Sequence, residues 1–142
     1  MMAEPVRAIA RILTARGQPV YQFRFSYVAE SLRKQFPGAF HATEIPFVFD
    51  TVAARYGKDL TPADQAAARA IHAYWVAFAR GGKPDAAGQP AWPAYSRQNE
   101  AIMDFTAQGP VAGPDPWSAR LDLAERLSER REQAAPHKES AH

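Results

Sequence analysis

The chain has 142 residues, of which 46% are apolar and 23% charged, a composition typical of one ordinary globular domain. Its net charge is only +2, with basic residues scattered among acidic ones, so neither a nucleic-acid-binding surface nor a membrane-binding surface is predicted. The absence of cysteine excludes disulfides and thiolate metal sites, and no apolar run reaches the roughly 18 residues that a membrane span requires.

The first predicted element is a helix from Glu4 to Arg16, because Pro5 suits the first helical position and Gly17 is a natural stop. Apolar residues recur at helical spacing at positions 6, 9, 12 and 13, and the arginines at 7, 11 and 16 are interpreted as a solvated face. The N-terminus shows no apolar core of signal-peptide type, which slightly favours a cytoplasmic location and leaves the compartment undecided.

A strand is predicted next, from Val20 to Val28. By the period of two, its aromatic residues share one face while Gln22, Arg24 and Ser26 share the other; the aromatic residues are Tyr21, Phe23, Phe25 and Tyr27. One aromatic and one polar face predict a strand at the margin of a sheet, with the aromatic rings in the core.

A polar connection follows this strand and ends in a Pro-Gly turn, just before His41 and Glu44. In open α/β sheets ligands bind beyond the carboxyl ends of the strands, so this histidine lies where general-base chemistry could occur. The plainer interpretations are a half-buried loop histidine without a task and a solvated carboxylate. These two side chains alone are too few for a metal site, and no metal or cofactor is predicted.

The longest predicted helix begins at Thr61-Pro62-Ala63-Asp64, where Thr61 suits the N-cap and Asp64 the acid of a capping box, and it ends at Gly81-Gly82. An apolar stripe is predicted to pack this helix on the sheet; it consists of Ala67, Ile71, Tyr74, Trp75 and Phe78. His72 lies off the stripe and is predicted to face solvent.

Shorter elements are predicted downstream of this helix. Trp92–Tyr95 is interpreted as an anchored surface turn, Ala101–Thr106 as a short strand, and Gly109–Pro116 as a stretch rich in structure breakers. Asp115 is predicted to cap a terminal helix that starts at Pro116. We expect one folded segment over residues 1–131 and a disordered tail over 132–142.

Four segments of the chain together resemble one protein family. Gly38–Phe49, which reads G-A-F-H-A-T-E-I-P-F-V-F, resembles the catalytic-histidine segment of type B carboxylesterases, the para-nitrobenzyl esterase and cholinesterase-like branch of the α/β-hydrolases. Val20–Phe25 resembles the strand before that histidine, and Tyr74–Ala79 and Trp92–Tyr95 resemble the helix and the Trp-Pro segment after it. The similarity extends from about Glu4 to about Leu127.

The resemblance implies an α/β fold, namely the C-terminal portion of an α/β-hydrolase, with its last strands and their packing helices, incomplete on its own. It also implies that His41 is the catalytic histidine and that Glu44 steadies the histidine loop, while the triad acid lies far upstream. In this fold the triad follows the order Ser, Asp or Glu, His, and the 142 residues contain no G-x-S-x-G motif. The nucleophile and the acid are therefore expected outside this chain.

The function implied by the resemblance is hydrolysis of carboxylic esters through a serine acyl-enzyme, with this chain inactive by itself. The expected partners are the missing N-terminal part of the esterase and, once that part is supplied, a small-molecule carboxylic ester. The alternatives are a non-catalytic, cholinesterase-like interaction module, a truncated gene product and an unrelated small α+β binding protein. An adjacent reading frame that encodes a G-E-S-A-G-like sequence would favour the esterase.

Overall fold

The computed structural model describes residues 3–134, which form five α-helices and three β-strands. In chain order these are α1 (Ala3–Ala15), β1 (Phe23–Phe25), α2 (Ile45–Val48), α3 (Val52–Tyr56), α4 (Pro62–Gly81), β2 (Ala101–Thr106), β3 (Gly109–Pro114) and α5 (Ser118–Ala134). Single 3₁₀ turns cover Glu30–Leu32 and Gly57–Asp59. Of the predicted tail, residues 132–134 continue α5, and the remainder lies outside the described residues.

The strands form one mixed sheet in the order β1-β2-β3, parallel between β1 and β2 and antiparallel between β2 and β3. The strand predicted at Ala101–Thr106 is confirmed, whereas the prediction of an irregular stretch from Gly109 is wrong because β3 lies there. Proline lacks the N–H that a central strand must donate, but an edge strand tolerates it. Pro110 and Pro114 are accommodated because β3 pairs with β2 alone in the described sheet.

β1 is shorter than predicted, although the backbone around it remains bonded to β2. The N–H of Met103 donates to the Gln22 carbonyl and that of Ser26 donates to the Phe105 carbonyl, each at 3.0 Å. The predicted division into two faces is confirmed, since Phe23 packs on Trp75 while the Arg24 guanidinium lies 4.1 Å from the Trp117 ring centre. The predicted position at the margin of the sheet is also confirmed.

Helix α4 begins as its sequence predicts, with both hydrogen bonds of the capping box between Thr61 and Asp64 present. Its inner side packs on the sheet around a cluster of aromatic rings. Trp92 belongs to this cluster, with only 7% of its surface exposed, so its interpretation as part of a surface turn is wrong. Its indole N–H donates to the Gln22 carbonyl at 3.0 Å, which gives the buried ring its polar partner.

Helix α1 has the opposite orientation from the predicted one. The Arg7 side chain, only 6% exposed, and the Arg11 side chain both form ion pairs with Glu125 of α5. Arg11 also donates to Glu100, just before β2, at 2.6 Å. The apolar side therefore turns outward, and Val6 and Ile9 are 53% and 56% exposed. The prediction of a solvated arginine face is wrong for Arg7 and Arg11, because α5 and Glu100 offer carboxylates that draw their guanidinium groups inward, and it is confirmed for Arg16, which is exposed.

Within residues 3–134, no helix combines the length and the apolarity needed to cross a membrane. The sheet carries α4 on the face of the aromatic cluster and the start of α5 on the face of Arg24. The fold is thus a small mixed α/β arrangement, which matches a part of an α/β fold.

Candidate functional site

His41 lies on the exposed connection between the carboxyl end of β1 and helix α2, in a series of turns over residues 41–44. Thr43 closes the first turn, donating from its hydroxyl to the Phe40 carbonyl at 2.7 Å. Ala42, the residue after His41, has a φ of 66°. This left-handed region suits glycine and, less well, asparagine and aspartate, whereas other residues adopt it at a cost in energy. The backbone on either side of the imidazole is therefore held in a defined and strained turn.

His41 and Glu44 line one large open groove with a cavity volume of ≈ 990 Å³. Arg24 and Ser26, from the polar face of the β1 segment, line the same groove. Its far end is apolar and is formed by the outward side of α1, through Val6, Ile9 and Leu13. The structure thus brings together the two residues that the sequence singled out, beside the edge of β1.

Glu44 has a defined backbone role but no hydrogen bond through its carboxylate among the described residues. It occupies the N-cap of α2 without a side-chain capping bond, and its carbonyl accepts from the N–H groups of Phe47 and Val48 at 3.0 and 2.9 Å. In the same part of the chain, no hydrogen bond joins Glu44 to His41. The steadying role predicted for the carboxylate stays a prediction.

Sequence reasoning missed His72, which it placed toward solvent. The structure shows its Nδ1 2.8 Å from the carbonyl oxygen of Val48, the last residue of α2. Because a carbonyl only accepts, Nδ1 must carry the proton of this hydrogen bond. The prediction is wrong because the stripe pattern gives the direction of a side chain around its own helix and not the position of a neighbouring segment.

Asp64 is the second missed residue, since its predicted role ended with the capping box. Its carboxylate is fully buried, and Oδ1 accepts from the Tyr27 hydroxyl at 2.8 Å and from the Glu30 N–H at 3.1 Å. Burial, followed by this bond to Asp64, raises the pKa of Tyr27 above its usual range. The start of α4 is thereby joined to the chain just after β1.

Across residues 3–134, no three histidine, aspartate or glutamate side chains lie together as metal ligands would. The polar groups that line this groove include the imidazole of His41, the hydroxyl of Ser26, two carboxylates and two guanidinium groups; the carboxylates are those of Glu44 and Asp115, and the guanidinium groups those of Arg7 and Arg24. Such a set can move a proton to or from a group placed within hydrogen-bond reach.

Comparison with known proteins places this geometry in a wider context. The carboxylesterase family matches residues 1–120 of the chain. Carboxylesterase 5A of Canis lupus familiaris is 35% identical over 103 residues, covering 64% of the chain, and cocaine esterase of Homo sapiens is 29% identical over 110 residues, covering 72%. A crystal structure of a Geobacillus stearothermophilus carboxylesterase matches 81% of the chain at 34% identity, with a TM-score of 0.64.

The chain is much shorter than these proteins. It spans 18% and 20% of the two curated relatives and 23% of the crystallised one.

Proposed function

Because the chain belongs to the carboxylesterase family, we propose that it forms the part of a serine esterase that supplies the catalytic histidine, His41. The observation that carries the proposal is the position of this residue. His41 follows the carboxyl end of β1 and lines a groove with Glu44 and Ser26, at the place where ligands bind in open α/β sheets. The proposed reaction is hydrolysis of a small-molecule carboxylic ester.

In this reaction His41 takes the proton of a serine hydroxyl as that oxygen attacks the ester carbonyl. It returns the proton to the departing alcohol and then activates the water that releases the acyl group. Glu44, beside it in the groove, orients the imidazole loop and transfers no proton. No cofactor takes part in these steps.

The nucleophile belongs to sequence outside these 142 residues, which contain no G-x-S-x-G motif. In α/β-hydrolases the oxyanion-hole donors are the backbone N–H of the residue after that serine and an N–H of an earlier loop. We propose that these donors also belong to sequence outside the 142 residues. Histidine alone contributes a general-base factor of about 10²–10⁴, and only to a nucleophile that is already positioned. We therefore propose that the chain is inactive by itself.

The proposed partner is the N-terminal part of the same esterase, and two unpartnered surfaces support it. The backbone groups of Gln22 and Ser26 bond to β2. Because backbone groups alternate in direction along a strand, those of Phe23 and Phe25 point to the opposite edge of β1, where the described sheet has no further strand. Beside this edge lies the apolar side of α1, with Ile9 56% exposed. A strand edge that has no partner among residues 3–134, next to exposed apolar residues, is a template for a further strand and its packing elements.

A fused chimera tests the proposal. The chain replaces the segment it matches in the Geobacillus stearothermophilus carboxylesterase, whose remaining part supplies the other strands. We expect hydrolysis of p-nitrophenyl butyrate by the chimera and by a variant with Gln35→Ala, an exposed residue upstream of His41. We expect none with His41→Ala.

Equal hydrolysis by the His41→Ala chimera would refute the role of this histidine. A chimera that melts cooperatively and still hydrolyses nothing would favour the non-catalytic interaction module.

A further inference from the structure

We propose that His72 is a positioning residue for His41, because it fastens helix α2, and with it the histidine turn, to helix α4. The catalytic consequence rests on the proposed function, whereas the fastening itself is a property of this chain. The contact that carries the inference is the hydrogen bond of 2.8 Å between Nδ1 of His72 and the Val48 carbonyl.

Helix α2 depends on tertiary contacts, since it has only four residues and one turn is unstable alone. Phe47, 1% exposed, anchors its inner side by packing on Phe25 and Tyr27. The last carbonyls of any helix lack partners within the helix, and His72 satisfies that of Val48. Asp50, two residues later, has a φ of 52°, so the chain turns away there. The imidazole thus closes the carboxyl end of α2.

Two backbone hydrogen bonds, joined through the peptide bond between Glu44 and Ile45, connect this end of α2 to His41. The N–H of Val48 donates to the Glu44 carbonyl at 2.9 Å, and the N–H of Ile45 donates to the Ala42 carbonyl at 3.4 Å. Ala42 is bonded covalently to His41. Loss of the contact at Val48 therefore loosens the turn that sets the direction of the imidazole.

Helix α4 also holds the other side of the connection. Asp64, near its N-terminus, accepts from the Tyr27 hydroxyl and the Glu30 N–H, just after β1. His72 lies two turns further along the same helix and holds the chain after His41. The histidine turn is thus held between two contacts on one helix, and Val48, the residue that His72 contacts, is nearer to His41 along the sequence than Glu30 is.

The chemistry of the contact suggests a matched pair of substitutions. In His72→Asn the amide nitrogen takes the place of Nδ1 and keeps a donor for Val48, whereas in His72→Gln it takes the place of Nε2. Glutamine favours a helix more than asparagine does, so if His72 only stabilised α4, the Gln variant would keep more protection in α2 than the Asn variant. If His72 acts through its bond to Val48, the Asn variant should keep more protection in α2 than the Gln variant. The same two substitutions at Arg69, an exposed position of α4, measure the effect of helix propensity alone.

The experiment measures amide hydrogen exchange in α2 within the folded chimera, with the interior of α4 as reference. We expect His72→Gln to accelerate exchange at Phe47, Val48 and Phe49 roughly two- to tenfold, as the loss of one hydrogen bond implies, and His72→Asn to restore protection. Long-range ¹H–¹⁵N spectra of the wild-type chimera should show the proton on Nδ1 of His72. Unprotected wild-type α2 amides, or equal exchange in the Asn and Gln variants, would refute the fastening.

The effect of His72 on catalysis is measured in the chimera. We expect His72→Gln to lower kcat with little change in KM, and His72→Asn to recover most of the rate, because a misdirected base affects proton transfer more than ester binding. Altered exchange without any change in kcat would refute the positioning role and leave the fastening of α2 supported. A wild-type chimera that melts cooperatively but is inactive would refute the proposed function and leave the exchange result to decide the fastening.

Discussion

Nη2 of Arg7 lies 2.8 Å from Oε2 of Glu125, and this ion pair turns the arginine side of α1 toward α5. The remaining side of α1 then presents Val6, Ile9 and Leu13 to the open groove beside β1. A helix normally buries its apolar side against its own domain. Here the apolar side lies beside an open strand edge, which is the arrangement expected where further polypeptide packs.

The first prediction concerns the chain in solution. Because its apolar side and strand edge are exposed, we expect the chain alone to be an oligomer, an aggregate or a loosely packed species that binds a hydrophobic dye. Sedimentation and near-ultraviolet circular dichroism measure this. Ile9→Lys should reduce association, whereas Leu123→Lys, on the exposed side of α5, should not. A monodisperse wild-type monomer with a sharp melt would show that these residues close their own core.

The second prediction concerns activity of the chain alone. We expect it to hydrolyse p-nitrophenyl acetate no faster than free imidazole at equal concentration, because the nucleophile is proposed to lie outside this sequence. Ser26 lies in the groove with His41 and is the serine to test. Saturable turnover that disappears in both His41→Ala and Ser26→Ala would contradict the prediction and identify a nucleophile within the chain.

The third prediction separates the roles of His41 and Glu44 in the chimera. We expect His41→Ala to lower kcat by at least about 10²–10⁴-fold, the contribution of general-base catalysis. Glu44→Gln should lower it less, because an orienting group transfers no proton. Circular dichroism checks that both variants keep the fold. Equal and complete loss from the two changes would argue against this division of roles.

The fourth prediction concerns the buried carboxylate of Asp64. Asp64→Ala removes the capping bond and leaves the Tyr27 hydroxyl and the Glu30 N–H without their acceptor, so we expect a loss of about 2–4 kcal/mol in the free energy of unfolding. Tyr27→Phe removes one donor and should cost about 1 kcal/mol. Urea unfolding of the chimera measures both changes. Additive losses in the double variant would show that the two groups are not coupled.

The fifth prediction concerns alkaline pH. Burial raises the pKa of Tyr74 to about 12, because the phenolate would lose its hydration. The folded state therefore keeps a proton that the unfolded state releases near the ordinary pKa of about 10. This contribution to stability is complete below about pH 10 and falls as the pH rises toward about 12.

Denaturant unfolding between these pH values measures the change for Tyr74. Tyr74→Phe should flatten the alkaline slope while lowering stability at neutral pH, since the hydroxyl donates to the Pro90 carbonyl at 2.6 Å. An unchanged slope in this variant would assign the alkaline loss to other groups.

Elements with local determinants were predictable from the sequence. The capping box of α4 lies within four adjacent residues, and β2 shows its strand pattern in one short segment. The position of His41 beyond a strand end was predictable as well, because a turn signal directly precedes it. In each case the residues that decide the structure are neighbours along the chain.

The failures at α1 and at His72 share one physical cause, which is a partner distant in sequence. The orientation of α1 depends on Glu125, 118 residues from Arg7. Similarly, His72 appeared solvent-facing because the Val48 carbonyl that binds it comes from a separate helix. Periodicity gives the polarity of each side of an element, but the neighbouring element decides which side is buried.

Selection for solubility of the isolated chain and selection for activity of the chimera favour different residues on the outward apolar side of α1. A library of α1 variants screened for solubility of the isolated chain would enrich polar residues at Val6, Ile9 and Leu13, which water reaches in this structure. The same library screened for ester hydrolysis by the chimera would retain apolar residues there. Improvement of this chain as a separate protein and improvement of it as a component would therefore diverge at the same three codons.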